Sequence, residues 1–159
     1  PITFMVTFNL FCVTSFTGLL KKFLEWRTQY GWYDDKPNDK HRVRFDTPYL
    51  REPLQYDMNI LPKEEYMPYM HESLKFMEEN VDDERSDKFT TLEYEKFKRV
   101  VDYMQETVYT DEKLIEGRRD FYNWFNELDD RRDADFLSVF PEMMDFYKLC
   151  QTVNLTNPL

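Results

Sequence analysis

The sequence predicts an α/β fold, with one βαβ unit at the end of a partial β/α barrel, followed by a mainly α-helical C-terminal region. Residues 2–10 and 41–47 each alternate apolar and polar side chains with a period of two, as half-buried strands do. Residues 17–30 carry apolar side chains at helical spacing, and this spacing dominates again from residue 66 onward. Strand, helix and strand in this order indicate a crossover between parallel strands.

Each predicted strand has one apolar and one more polar face. The apolar positions are Ile2, Phe4, Val6, Phe8 and Leu10 in the first strand, and Val43 and Phe45 in the second. A sheet of two strands cannot bury both of its faces, so this pattern predicts partner strands outside the chain. The chain also begins with Pro1 rather than Met and at a strand, which predicts that it is the C-terminal piece of a longer protein.

The helix between the strands is predicted over residues 17–30. It is expected to end near Tyr30–Gly31, because glycine suits a C-terminal cap. A polar loop is expected over residues 34–40. Residues 48–65 are expected to form an extended connector, since three prolines between residues 48 and 62 leave no clear periodicity.

Helix-start signals recur in residues 66–150. Pro68 fits a first helical turn, Thr90 followed by Glu93 forms a capping box, and Thr110 is an N-cap.

Two further residues mark the helices near the end of the chain. Gly117, inside its helix, is expected to permit a close helix contact, and Pro141 to begin a last short helix. The predicted domains are therefore a βαβ unit over 1–47, the connector over 48–65, a helical region over 66–150 and a flexible tail over 151–159.

Composition argues against several functional classes. The chain has 31 acidic and 21 basic side chains among 159 residues, and a net charge of -10 repels nucleic-acid phosphates. No apolar run reaches the roughly 20 residues of a membrane span. Three glycines leave no nucleotide-binding loop. Two distant cysteines and two histidines predict a reducing, cytoplasmic setting and no metal site within this chain.

The polar face of the second strand is the most suggestive feature for function. If the strands belong to a barrel, Arg42, Arg44 and Asp46 point inward, where a charge is costly unless it is paired or functional. Asn9 and Asp46 end their strands, and such folds place their active sites at the carboxyl ends of the strands. The alternatives are that the strands form an edge with a solvated face, or that Arg44 and Asp46 only pair with neighbours.

Two later segments resemble a known family. PYLREPLQYDMNILPKE (48–64) resembles the stretch after the last barrel strand of radical S-adenosylmethionine proteins with a twitch-type C-terminal region, where an H/P-x-x-L-x-x-P stretch leads to I/V-L-P and a helix. LDDRRDADFLSVFPEMMDFY (128–147) resembles the closing L-D-x-x-R and F-L-x-x-F-P-E patterns of the same proteins. The opening TFNLFCV and the following LLKKFLEW resemble a late barrel strand and its helix.

The resemblance implies a parent enzyme whose [4Fe–4S] cluster binds and cleaves S-adenosylmethionine, with a peptide or small molecule as substrate. The cluster motif CxxxCxxC and the Gly-Gly-Glu stretch are absent from this sequence. The chain alone is therefore expected to hold no cofactor and no catalytic residue, and to need the missing N-terminal barrel half as its partner. By position, the resemblance places Asn9, Arg44, Asp46 and Tyr49 at or beside the substrate side of the barrel.

A function of a different class is also compatible with the residues. The chain would then be a small acidic α/β adaptor that binds a protein partner through its aromatic helices. The first strand distinguishes the two hypotheses, because an adaptor uses it as an edge strand and a barrel fragment requires neighbouring strands.

Overall fold

The structure is a computed structural model that describes residues 1–30 and 42–157. These residues are mostly helical and contain one two-stranded parallel sheet. In this coarser form, the prediction of a βαβ unit followed by helices is confirmed. The partial barrel is not: the described residues form two strands, and two strands enclose no interior. The predicted cap at Gly31, the loop over 34–40 and His41 lie outside the described residues.

The elements follow the chain in the order strand, helix, strand and then five helices within the described residues. Short 3₁₀ turns occur at Leu10–Cys12, Leu54–Tyr56, Met58–Ile60 and Pro141–Met143. The longer elements are β1 (Ile2–Met5), α1 (Phe16–Tyr30), β2 (Val43–Asp46), α2 (Lys63–Glu78), α3 (Thr91–Glu106), α4 (Asp111–Arg132), α5 (Phe136–Val139) and α6 (Met144–Thr156).

The chain divides into two compact units. The first comprises residues 1–49 and 63–106, and the second comprises residues 50–62 and 107–159. Each predicted domain is one continuous stretch of chain, with boundaries at residues 47 and 65. Each compact unit instead combines two separate stretches. The segment predicted as an extended connector contains the turns Leu54–Tyr56 and Met58–Ile60, which pack on α4 in the second unit.

The first unit has an aromatic core between the sheet and its helices. Phe4 pairs in register with Phe45, and both rings contact Phe23 of α1. Phe16 and Phe97 are 4.5 Å apart between ring centroids, which joins α1 to α3. Phe4 and Phe45 therefore face α1, as the alternation predicts, whereas Ile2 of β1 is 64% exposed.

An ion pair is buried within this core. Arg27 of α1 is 2% exposed, and its guanidinium donates to both carboxylate oxygens of Glu93 at 2.5 and 3.1 Å. It also donates to the backbone oxygens of Val43 and Lys88. Glu93 accepts from the backbone N–H of Thr90, while Thr90 Oγ1 accepts from the backbone N–H of Glu93. The predicted capping box is confirmed, and the same carboxylate anchors α1.

The second unit is centred on the contact between α4 and α6. Phe121 lies 4.9 Å from Phe146, and Phe125 lies 4.8 Å from Phe136, measured between ring centroids. Thr110 Oγ1 accepts from the backbone N–H of Lys113, as its N-cap assignment predicts.

Two helix boundaries differ from the prediction. Pro68 lies inside α2, which begins at Lys63, so the preference of proline for a first turn did not locate the start of this helix. Helix α6 continues through Thr156, although residues 151–159 were predicted to be a flexible tail. Its Cys150 is buried and anchors this last helix in the core of the second unit.

Candidate functional site

The carboxyl ends of β1 and β2 carry the predicted site residues. The strands pair in parallel, with Thr3 opposite Arg44 and Met5 opposite Asp46. The pairing resumes at a bridge between Phe8 and Tyr49. The bridge places Phe8, the residue before Asn9, beside Tyr49. Because β1 already ends at Met5, Asn9 lies in the loop beyond the strand and not at its predicted end.

Arg44 and Asp46 lie on the sheet face opposite α1. Successive strand residues point to opposite faces, and Phe45 between them packs on α1. Their orientation toward the other face agrees with the expectation from alternation. Both side chains are half-buried.

Asp46 is held by contacts on both carboxylate oxygens. Its Oδ2 accepts from Lys96 Nζ of α3 at 2.9 Å, and its Oδ1 accepts from the backbone N–H of Thr47 at 2.8 Å. About a third of each side chain in the Asp46–Lys96 pair is exposed (32% and 35%), so solvent reduces the strength of the pair. The carboxylate is fixed in position but remains accessible.

Helix α3 adds an aromatic side chain at the same place. The Tyr49 and Tyr103 rings lie 4.6 Å apart between centroids. Lys96 and Tyr103 are separated by two helical turns and share one face of α3. Sequence reasoning missed both residues, because nothing local indicates that this helix face meets the strand ends.

Asn9 has a local structural role. Its Oδ1 accepts from the backbone N–H of Phe11, and its Nδ2 donates to the backbone oxygen of Thr7. The side chain therefore caps the 3₁₀ turn at Leu10–Cys12. These contacts hold the loop at the end of the strand.

Cys12 follows in this turn. Burial raises the pKa of its thiol, and a backbone hydrogen bond at Asn9 lowers it by a smaller amount. The raised pKa keeps the thiol protonated near neutral pH, which opposes a role as a nucleophile.

The Asp46–Lys96 ion pair and the Tyr49–Tyr103 ring pair connect the carboxyl end of β2, and the residues just after it, to one face of α3. Cations and phenols donate hydrogen bonds and a carboxylate accepts them, so these side chains are of a kind that can contact a polar ligand.

The residues of this chain do not fit an iron–sulfur cluster. Such clusters are held by several cysteine thiolates, and the sequence has only Cys12 and Cys150. Within residues 1–30 and 42–157, no three His, Cys, Asp or Glu side chains are grouped to hold a metal ion. Burial raises the pKa of the Cys150 thiol far above its ordinary value, which further disfavours the thiolate that a metal requires.

A separate groove lies at the amino ends of the strands. It has a volume of about 490 Å³ and includes Ile2 and Val43, the first residues of β1 and β2. Phe4, Trp26 and Tyr30 add aromatic walls. The groove is therefore distinct from the cluster at the carboxyl ends.

Comparisons with known proteins identify no relative. No protein-family model matches the sequence, and no curated protein and no solved structure matches the chain. Among the helices that the structure describes, none has the length and apolar character needed to cross a bilayer.

Proposed function

We propose that this chain is the C-terminal region of a radical S-adenosylmethionine enzyme, in which it helps to close the barrel and forms part of the surface around the substrate. The observation that carries the proposal is the open side of the two-stranded sheet. All four residues of β1 are exposed, including Ile2 at 64% and Met5 at 62%. Natural proteins normally cover or pair such an apolar edge strand.

The backbone of β1 provides the means for further pairing. The N–H groups of Ile2 and Val6 donate to the backbone oxygens of Arg42 and Asp46. Because pairing direction alternates along a strand, the N–H groups of Thr3 and Met5 face away from β2. Among the described residues, no strand occupies that side. A neighbouring strand from the N-terminal barrel half would satisfy these groups.

The two faces of the sheet also agree with a barrel. Helix α1 packs on the apolar face, and Arg44 and Asp46 lie on the other face, which would be the interior. Barrel enzymes place their active sites at the carboxyl ends of the strands, where Asp46 and Tyr49 lie. The segments 48–64 and 128–147 also resemble radical S-adenosylmethionine proteins in their order and spacing.

The adaptor alternative needs aromatic helix surfaces that are available to a partner. Four phenylalanines of the later helices are instead buried against one another: Phe121, Phe125, Phe136 and Phe146. Their burial removes these four rings from any partner surface, so an adaptor would have to use exposed rings such as Tyr69 and Trp124, which are 43% and 46% exposed.

The first test is to sequence the coding DNA upstream of the Pro1 codon in the same reading frame. The proposal expects an open frame that encodes CxxxCxxC. A start codon directly before Pro1, with an in-frame stop above it, would overturn the proposal and favour the adaptor.

The second test uses the full-length product of that frame, purified without oxygen and supplied with iron and sulfide. With dithionite as reductant, we expect it to convert S-adenosylmethionine to 5′-deoxyadenosine. Replacing the three motif cysteines by alanine is the matched control and should abolish the product. A full-length protein that binds no cluster and forms no 5′-deoxyadenosine would contradict the proposal.

A further inference from the structure

A shallow cleft in the second unit is lined by one aromatic ring and four polar side chains. It has a volume of about 440 Å³ and lies between α4 and the turn at Leu54–Tyr56. We call it the Trp124 cleft. Its lining residues are Gln55, Asp120, Asn123, Trp124 and Glu127.

Trp124 presents an oriented aromatic surface. The residue is 46% exposed, and its indole Nε1 donates to the Tyr56 hydroxyl at 3.0 Å. This hydrogen bond satisfies the polar atom of the ring and holds the ring in place. The exposed remainder is therefore apolar surface, and a large aromatic held in this way suits contact with a ligand that is itself partly apolar.

Two side-chain amides in the cleft are available for hydrogen bonds. Gln55 and Asn123 are half-buried, and within the described residues neither side-chain amide has a hydrogen-bond partner. Each amide offers two donor hydrogens and one acceptor oxygen. Asp120 and Glu127 add acceptor oxygens, so donors and acceptors lie around one aromatic ring.

The charges around the cleft favour a neutral ligand. Asp120 Oδ1 lies 3.6 Å from Arg119 Nε, and Glu127 Oε1 accepts from Arg131 Nε at 2.6 Å. Both arginines lie outside the lining, and each compensates one carboxylate. A cationic ligand would have to compete with these arginines, whereas a hydroxyl can donate to a carboxylate oxygen that is already paired.

We propose that the Trp124 cleft binds a neutral hexopyranose ring. The C–H face of the sugar would lie on the Trp124 indole. Its hydroxyls would hydrogen-bond with the amides of Gln55 and Asn123 and with the carboxylates of Asp120 and Glu127. This proposal does not depend on the radical enzyme assignment, because the cleft lies wholly within the second unit.

The test is an NMR titration of the ¹⁵N-labelled chain with glucose, galactose, mannose and N-acetylglucosamine. We expect at least one sugar to shift the Trp124 indole N–H and the Asn123 side-chain amide signals, saturating in the millimolar range. The indole signal of Trp26, which lies outside the lining of the cleft, serves as an internal reference and should not move. Trp124→Phe assigns the Trp124 indole signal and retains an aromatic ring.

Matched variants separate the cleft from non-specific effects. Asn123→Ala should weaken binding several-fold, because it removes one amide of the cleft. Asn126→Ala, an exposed asparagine of α4 outside the lining, should bind like the parent chain.

Three results would overturn the proposal. The first is the absence of saturable shifts with all four sugars. The second is equal binding by Asn123→Ala and the parent chain. The third is saturation by arginine methyl ester but by no sugar, which would identify a cation site instead.

Discussion

Two glycines lie in helices but differ in the space around them, so one can serve as the control for the other. A Cβ added to Gly117 of α4 would lie 2.6 Å from Ile60 Cγ2 and 3.0 Å from Leu54 Cγ. A Cβ added to Gly18 of α1 would meet no atom within 4 Å. Gly117 is therefore required by close packing, as the sequence predicted, whereas no such contact constrains Gly18.

We expect Gly117→Ala to lower the free energy of unfolding by about 1–3 kcal/mol, because an overpacked core must shift to accept the methyl group. Gly18→Ala should raise it by up to about 1 kcal/mol through helix propensity. Urea denaturation followed by circular dichroism measures both changes. Equal effects of the two substitutions would show that packing at Gly117 is not limiting.

Because of the Cys150 thiol, the free energy of unfolding is expected to depend on pH in the alkaline range. Its pKa in the folded chain is raised by burial, although the nearby Arg118 opposes the shift. In the unfolded chain the thiol ionises near pH 8.5. Its contribution to stability is therefore fully present below that pH and falls as the pH rises, because only the unfolded chain then releases the proton.

We expect the parent chain to lose more stability than Cys150→Ala between about pH 8 and pH 10. Urea midpoints measured across this range provide the comparison, and the difference between the two proteins isolates the thiol from other titrating groups. Parallel curves for the two proteins would contradict this linkage.

At the scale of elements, the buried Arg27–Glu93 pair connects α1, β2 and the start of α3. The Arg27 guanidinium also lies over the Phe45 and Phe89 rings, at 5.9 and 5.6 Å from their centroids. A buried charge that loses its partner is costly because no water replaces the lost contacts.

Arg27→Met should reduce the free energy of unfolding by about 3–5 kcal/mol, since it leaves the Glu93 carboxylate buried and unpaired. Adding Glu93→Leu to Arg27→Met should restore part of this loss, because the second substitution removes the uncompensated charge. Lys22→Met, in the exposed Lys22–Glu25 pair of α1, is the control and should change stability little. A double variant less stable than Arg27→Met would show that Glu93 acts mainly through its cap.

At the scale of the whole chain, net charge opposes self-association and the exposed surface of β1 favours it. The net charge of -10 keeps copies of the chain apart at neutral pH, and the isoelectric point is near 4.7. Near that pH the repulsion vanishes, while the apolar edge of β1 is still exposed. Self-association through an open strand edge is then favoured.

We expect sedimentation velocity to detect larger species near the isoelectric point than at neutral pH. Met5→Lys places a charge on the exposed strand and should reduce this association. Leu92→Lys, at an exposed position of α3, adds the same charge elsewhere and should reduce it less. Equal behaviour of the two variants would assign the effect to net charge rather than to β1.

The local elements of this fold were predictable because their signals are local. Alternation predicted two strands, helical spacing predicted α1, and the Thr90–Glu93 and Thr110 caps predicted the starts of α3 and α4. In each case the side chains that form the signal lie within a few residues of one another. The polar face with Arg44 and Asp46 was predictable for the same reason.

The site required contacts that local patterns do not encode. Lys96 meets Asp46 across 50 positions of sequence, and Arg27 meets Glu93 across 66. The prolines between residues 48 and 62 suggested an extended connector, yet two turns there pack on α4. Periodicity, caps and net charge follow from side-chain chemistry along the chain. The contact between a strand end and α3 depends instead on which buried surfaces fit together in space. The same holds for the assembly of each compact unit from two separate stretches.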